Sequence, residues 1–380
     1  MRIAMLGLKG LPVPHSGVER QVVELGRRLA AMGHEVTAFC RPQYTEAKGS
    51  YEGIKIRLLP SVNTKHLDAI THTAAGTLAT LFSGYDVVHY HAIGPSLFSL
   101  LPRAVGSKTV VTVHGLDWQR DKWGGFASRV LRLGEWTSAN FPDRTIVVSK
   151  TLKQYYDSKY GKSVAYIPNG ITLPEVLPPD KIKRLYGIDG GDYLLFVARL
   201  VPEKGCHHLI EAFRKTDTKK KLVIAGGSSH TEQYVASLKG MASGDSRIVF
   251  TGHVHGEVLG ELFSNAYLYV QPSLIEGLSI ALLEALSYGL GALVSDIPEN
   301  REVIEQDGEE GDWRKSAGFT FRAGDASDLQ TRLESLLGDE ALVTGRAEGA
   351  RAYVSSHYDW DLIARQTEGV YLDICRGKAI

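Results

Sequence analysis

Short β-rich runs alternate with helical patterns along the whole of this chain, and that alternation excludes most folds. Strands separated by a helix's worth of residues pair in parallel, as sheets built from βαβ units. In the first half the candidate strands are Arg2–Gly7, Glu35–Phe39, Ile54–Leu58, Val87–Tyr90, Thr109–Val113 and Thr145–Val148. The clearest helical pattern among them is Gly17–Met32, with Val18, Val22, Leu25 and Leu29 on one stripe and Gly33 to close it. The pattern then restarts. Tyr193–Val197, Lys221–Ala225, Ile248–Thr251, Leu268–Gln271 and Ala292–Ser295 read as a second set of strands. The halves share a pattern and not a sequence.

At 380 residues the chain is comfortable for two domains of about 150–200 residues each. Ile167-Pro168-Asn169-Gly170 punctuates the junction, and Pro174 to Pro179 prolong it. The expected division is therefore 1–168 and 169–358, with a last helix after Tyr358 that returns to the first domain as residues 359–380. The fold class is α/β, two Rossmann-like doubly wound domains. Hydrophobic residues at 43% supply a core. No apolar run approaches the roughly 20 residues that span a bilayer. Met1–Gly7 reads as a first strand, too short in its apolar stretch for a signal peptide. Cys40, Cys206 and Cys375 are far apart and odd in number, which points to reduced thiols, a cytoplasmic setting and no zinc site.

The net charge is zero but unevenly spread. Residues 1–168 hold 21 Lys/Arg against 12 Asp/Glu, and the remainder 22 against 31. A basic first half suits an anionic membrane or a phosphorylated acceptor; two solvated surfaces of opposite sign are the plain alternative. Within it Arg120, Lys122, Trp123, Arg129, Arg132 and Trp136 mix cations with aromatics, and Arg129, Arg132 and Trp136 have helical spacing. That is the pattern of an interfacial anchor, or of an ordinary helix whose tryptophans pack inward.

Four segments carry chemistry. In Pro272-Ser273-Leu274-Ile275-Glu276-Gly277-Leu278-Ser279-Ile280-Ala281-Leu282-Leu283-Glu284-Ala285 a strand ends at Gln271, a loop carries Glu276 and Gly277, and a helix starts near Ser279. Gly289 is placed to end that helix. Its first amides face the carboxyl edge of the sheet, where open α/β folds bind ligands, and they suit a diphosphate. Glu276 and Glu284 flank those amides and can reach hydroxyls on either side. The second segment, Val197-Ala198-Arg199-Leu200-Val201-Pro202-Glu203-Lys204-Gly205, puts an Arg fork and a Lys point charge in one loop, able to neutralise a leaving diphosphate without a metal. The third is the first turn, Gly7 to Glu19, which is not GxGxxG but holds Gly10 and Gly17 where backbone must come close to something. The fourth is Val113-His114-Gly115-Leu116-Asp117-Trp118, a histidine just past a strand end. Taken singly, each also reads as surface charge or structural packing.

Together they match one family. The chain resembles the retaining glycosyltransferases of family 4, or group 1, with the two-domain GT-B fold in which the domains face each other across a cleft. The resemblance covers nearly the whole chain, and its motifs occur in order. The E-x7-E element is Glu276 and Glu284; the Arg-…-Pro-Glu-Lys-Gly element is Arg199, Pro202, Glu203, Lys204 and Gly205; the N-terminal loop is Gly17 and Glu19; the His-Gly element is His114 and Gly115. Pro168-Asn169-Gly170 and Tyr358-Asp359-Trp360 fit as well. The resemblance implies that the first domain holds the acceptor and the second the nucleotide-sugar donor. Glu276 would bind sugar hydroxyls, with Gly277 and Leu278 in the same loop. Glu284 would hold the ribose. Arg199 and Lys204 would bind the diphosphate with the amides of Ser279, Ile280 and Ala281. Gly17 would let the first loop approach the phosphates, and His114 would stand beside the sugar. Catalysis would rest on leaving-group stabilisation, with retention of anomeric configuration.

Two positions depart from the family's pattern. Ser16 precedes Gly17 where Gly-Gly is usual, and Ser279 stands where a glycine would be, which bears on the sugar pocket. The run Leu116 to Trp123 is similar to bacterial polysaccharide rhamnosyltransferases. The expected activity is a metal-independent, retaining hexosyl or deoxyhexosyl transfer in polysaccharide or glycolipid synthesis, to a glycan or lipid-linked acceptor. No cofactor and no nucleic-acid partner are expected, since the nucleotide-diphosphate sugar is a substrate. The expected place is the cytoplasm, peripheral at the inner face of the membrane. A sugar-nucleotide epimerase or phosphorylase of the same fold, and a non-catalytic two-domain binder, are the alternatives. Asp359-Trp360-Asp361 has the form of a metal-binding DxD but lies at a helix start far from any nucleotide loop. His89 with His91, and His253 with His255, alternate on strands and lack a nearby third ligand, so structure or acceptor contact is expected of them.

Overall fold

The computed structural model describes residues 1–12, 17–64, 67–119, 125–228, 231–305 and 316–377. They form two compact units, Met1–Gly170 with Trp360–Ile380, and Ile171–Asp359.

The first unit holds eight strands: β1 Arg2–Leu6, β2 Glu35–Cys40, β3 Ser50–Tyr51, β4 Ile54–Leu58, β5 Val87–His91, β6 Lys108–Val113, β7 Arg144–Val147 and β8 Ala165–Tyr166. Their order is β3-β4-β2-β1-β5-β6-β7-β8, parallel throughout except for the β3–β4 pair. The central strands are buried on both faces, Ile3 to Leu6 and Val87 to His91 along their length, as a parallel sheet covered on two sides requires. From β1 the chain winds outward to β4, then returns to place β5 on the other side of β1. The carboxyl ends of β1 and β5 therefore flank the crevice where the winding reverses.

The helix Gly17–Ala31 buries Val22, Leu25 and Leu29 in that core, and left-handed Gly33 stops it. The closing helix Trp360–Cys375 packs on the same unit through Trp360, Ile363, Ala364 and Tyr371. A Cβ at Gly170 would lie 2.5 Å from the Trp360 ring, so the junction and this helix fit only with a glycine there. Asp361, the second acid of the apparent DxD, is ion-paired to Arg28 at 2.5 Å.

The second unit holds β9 Tyr193–Val197, β10 Lys221–Ala225, β11 Ile248–Gly252, β12 Leu268–Gln271, β13 Ala292–Ser295 and β14 Gly318–Phe321. All are parallel, in the order β11-β10-β9-β12-β13-β14. Here the winding reverses between β9 and β12. Three strands, β3, β8 and β14, escape the sequence pattern. Two have only two residues each, too short for any periodicity. One expectation is corrected: His253 and His255 do not share a strand face, because β11 ends at Gly252. His253 instead packs against Gly227, where a Cβ would stand 2.4 Å from its Nε2.

Candidate active site

In the second unit the predicted residues converge on the β9–β12 reversal. β9 delivers partly buried Arg199, and the short turn Pro202–Lys204 follows. Gly205 has φ +68°, and a Cβ there would lie 1.9 Å from the Pro272 carbonyl oxygen. No other residue lets this turn come so close to the loop after β12. Leu274 N–H donates to the Glu203 carbonyl at 2.9 Å and completes the join. The result is an ion pair between Lys204 Nζ and Glu276 Oε1 at 2.5 Å, with the Glu276 side chain only 7% exposed. The helix Ile280–Ser287 starts beside them. Glu284 lies in its second turn, Gly277 and Leu278 are buried in the approach, and Ile280 and Ala281 supply its first amides.

Ser279 is the N-cap of this helix: its Oγ accepts from Leu282 N–H at 3.2 Å and donates to Gln271 Oε1 at 2.6 Å. The hydroxyl is thus turned into the protein. Such a cap contributes about 1 kcal/mol. Gln271 Nε2 donates to Asn300 Oδ1 at 2.7 Å. Asn300 Nδ2 donates to Ser295 Oγ at 2.9 Å, and Ser295 Oγ donates to the Ser273 carbonyl. Tyr269 OH donates to Gln271 Oε1 at 3.1 Å. Burial, and then Glu276 and Glu284, push the Tyr269 phenol well above its usual range, so it stays a donor. A buried network of this kind fixes a loop in one place, although the buried Ser273 Oγ beside it has no partner among the described residues. Glu299, at the start of the helix Pro298–Ile304, joins the site's electrostatics. Burial, and after it the Glu276 and Glu302 carboxylates, raise its pKa. Sequence reasoning missed Gln271, Ser295, Glu299 and Asn300, which no local motif joins.

In the first unit His114 follows β6 and is partly buried, and its Nε2 lies 3.4 Å from His91 Nδ1. Gly17 opens the first helix, exposed. Two residues on, buried Glu19 accepts from the Lys9 backbone N–H at 2.6 Å and closes the base of the first loop. His15 and Ser16 lie outside the described residues, as do Arg120, Lys122 and Trp123. The segment after His114 is anchored by Glu135, a buried carboxylate in the helix Gly125–Asn140. Trp118 Nε1, Tyr155 OH, Lys159 Nζ and Tyr160 OH donate to it at 2.6–2.9 Å. Burial alone would raise its pKa; the four donors together hold it below the usual range. Arg132, exposed, stacks over Trp118 at 4.0 Å, and half-exposed Trp136 one turn further along the same helix meets Phe141 with its ring. Among the described residues no three His, Cys, Asp or Glu side chains gather in a way that could hold a metal ion.

Two doubly wound sheets, one with a paired cation and carboxylate at its reversal, define an α/β protein of the GT-B glycosyltransferase class. Residues 15–174 match the family model for Glycosyltransferase Family 4, and residues 180–353 that for Glycosyl transferases group 1. The chain belongs to this glycosyltransferase family. It is 27% identical over 420 residues to a glycogen synthase of Mycobacterium tuberculosis, covering 100% of this chain and 96% of that one. Its fold resembles sucrose-phosphate synthase from Thermosynechococcus elongatus, with a TM-score of 0.83, 20% identity and coverage of 99% and 100%. It also resembles Anabaena Alr3699/HepE in complex with UDP-glucose, with a TM-score of 0.78, 17% identity and coverage of 97% and 99%. No helix among the described residues is long and apolar enough to cross a membrane.

Proposed function

We propose that this glycosyltransferase takes its sugar from a nucleotide-diphosphate donor, transfers it with retention and without a metal ion, and delivers it to a glycan or lipid-linked acceptor. The observation that carries this reading is the Lys204–Glu276 pair beside the start of the helix Ile280–Ser287, at the carboxyl edge of the second sheet. A cation, an acid and helix amides at one point suit a sugar diphosphate. On donor binding, Lys204 exchanges the carboxylate for the diphosphate. Glu276 then turns to sugar hydroxyls, Glu284 holds the ribose, and Arg199 adds a second positive charge. Charge builds on the departing phosphate, so preorganised cations and amides lower the barrier directly. The acceptor hydroxyl attacks from the face the leaving group vacates, and its proton passes to the departing phosphate oxygen. In this scheme the second unit is the donor domain and the first carries the acceptor and His114. The relatives in glycogen and sucrose-phosphate synthesis support the donor class.

The test is a thermal-shift screen of nucleotide sugars, then transfer and donor hydrolysis with and without EDTA. A true donor at 100 times its Kd should stabilise the protein by about 2.7 kcal/mol. Activity should survive EDTA, and the anomeric protons of the product should report retention. Loss of activity on chelation with recovery on Mg²⁺ or Mn²⁺, or an inverted product, would overturn the mechanism.

The same reading makes the enzyme cytoplasmic, with reversible contact on an anionic membrane. Half-exposed Leu133 and Trp136 on the helix Gly125–Asn140 favour it, in a unit rich in cations.

A further inference from the structure

His91 is the last residue of β5, at the β1–β5 reversal of the first sheet, and it is fully buried. The backbone is bent hard to put it there. Ala92 follows with φ +76°, a left-handed conformation that alanine rarely adopts, held by its N–H on the Thr112 carbonyl at 2.8 Å. On the other side, Gly7 has φ +98°, and a Cβ there would lie 2.3 Å from the His91 carbonyl oxygen. Strain of this kind persists where the surroundings overdetermine a geometry, and it clusters at functional sites. What the geometry achieves is to bring the His91 and His114 rings to 5.7 Å between centroids, 27° from parallel, with His91 Nδ1 3.4 Å from His114 Nε2. Behind His91, the ring of His89 lies 4.3 Å away, locked by Tyr371 OH at 2.6 Å and Thr112 Oγ1 at 2.7 Å.

His91 Nε2 has no hydrogen-bond partner among the described residues. Burial first, then His89 and His114, drive its pKa well below the ordinary value, so the ring is neutral and carries one proton. With the proton on Nε2, a buried N–H would have no acceptor among the described residues. With the proton on Nδ1, only a bare lone pair goes unsatisfied. Orphaned buried N–H groups are the rarer of the two. His91 Nδ1–H therefore donates to His114 Nε2, and a nitrogen that accepts carries no proton of its own. A neutral His114 then holds its proton on Nδ1.

We propose that His91 is a positioning residue for sugar transfer: it holds His114 as the neutral Nδ1–H tautomer, so that His114 meets the donor sugar as a hydrogen-bond donor. This rests on the reading of His114 as a sugar contact. A protonated His114 would set two N–H groups against each other, so the pair disfavours proton-shuttling chemistry at this ring.

The test uses the full chain labelled with ¹⁵N-histidine, with long-range ¹H–¹⁵N correlations assigned by the His91→Asn and His114→Asn variants. The expected result at pH 7 is a pyrrole-type nitrogen at His114 Nδ1 and a pyridine-type one at Nε2. The reverse pattern in the wild type, or a charged His114, overturns the proposal whatever the activity. Turnover is read as hydrolysis of the nucleotide sugar that gives the largest thermal shift. His91→Leu should lower kcat roughly 10- to 100-fold with little change in KM, as a misplaced group does. His91→Asn, whose amide nitrogen can stand where Nδ1 stood, should recover most of the loss. Wild-type kcat in His91→Leu, with the tautomer as expected, removes the positioning role. Wild-type turnover in His114→Asn instead removes the reading of His114 itself.

Discussion

The two sheet reversals are built on opposite plans. At β9–β12 the side chains of Gln271, Ser279, Ser295 and Asn300 form a chain of hydrogen bonds that ends on the Ser273 carbonyl, most of them between 2.6 and 2.9 Å. At β1–β5 the functional pair is joined by one long bond of 3.4 Å, one histidine nitrogen has no partner among the described residues, and left-handed Ala92 stores strain. A site tied by such a chain suits a ligand part that never varies, such as a diphosphate. A strained one suits a group that has to be held in a single orientation. The difference teaches where stability and function can be traded: the second unit ties its loop with hydrogen bonds, and the first, on the proposal above, tolerates buried imidazoles to keep a donor in place.

The largest expected effect separates the two units by acid. His72, His89 and His91 are buried in the first unit, and burial lowers each pKa from 6.5, to about 4 for His72 and about 3 for His89. Between those values the unfolded chain binds more protons than the folded one. The stability of the neutral rings is therefore complete well above pH 6.5 and is lost as pH falls from 6.5 toward the folded pKa values, at about 2 kcal/mol by pH 5 for each of His72 and His89. His207 of the second unit is also lowered but is only partly buried. Hydrogen exchange at pH 7 and 5, corrected for intrinsic rates, should show protection falling mainly in Met1–Gly170. Equal loss in both units would break the contrast.

Next comes Lys204→Ala. Removing one preorganised charge from a leaving-group site costs roughly 10²- to 10³-fold in kcat. It also leaves a 7% exposed Glu276 carboxylate without its cation. Wild-type turnover at both limiting and saturating donor would deny Lys204 its role.

Asn300→Ala should cost about 1–3 kcal/mol by unpairing Gln271 and Ser295. Exchange protection of Ile280–Ser287 should drop while β1, β5 and β6 stay unchanged. A uniform loss across the chain would mean that the network serves general stability and not the loop.

The smallest effect concerns the membrane, at about 1 kcal/mol per cation near an anionic surface. Trp136→Ala, together with high salt, should reduce co-sedimentation with anionic liposomes and leave neutral ones unaffected. Recovery in the supernatant under every condition would leave no membrane role for this helix.

The loop after β12 was legible because its parts are close in sequence. Glu276, the Ser279 cap and Glu284 lie within one loop and one helix, and Gly205 follows Lys204 directly. Strand ends were read to within a residue wherever an apolar run had four or more members. The network beneath was not legible, since Gln271 and Asn300 are 29 residues apart and polar spacing across that distance carries no period. His91 was visible as one of an alternating pair, but its relation to His114 spans 23 residues and two strands. Glu135 gave no signal at all: its donors come from the segment after His114 and from the helix Lys150–Tyr160.

The amino-acid sequence by itself determined the α/β class, two parallel sheets and the family, because strand and helix periodicity and short loop motifs are local properties. Tertiary structure alone decided which polar groups support those motifs. It turned the Ser279 hydroxyl inward, paired Lys204 with Glu276, and set His91 against His114. The reason is physical: hydrogen bonds and ion pairs between distant segments depend on strand order and register, and a parallel sheet brings together residues that the chain itself keeps a whole crossover apart.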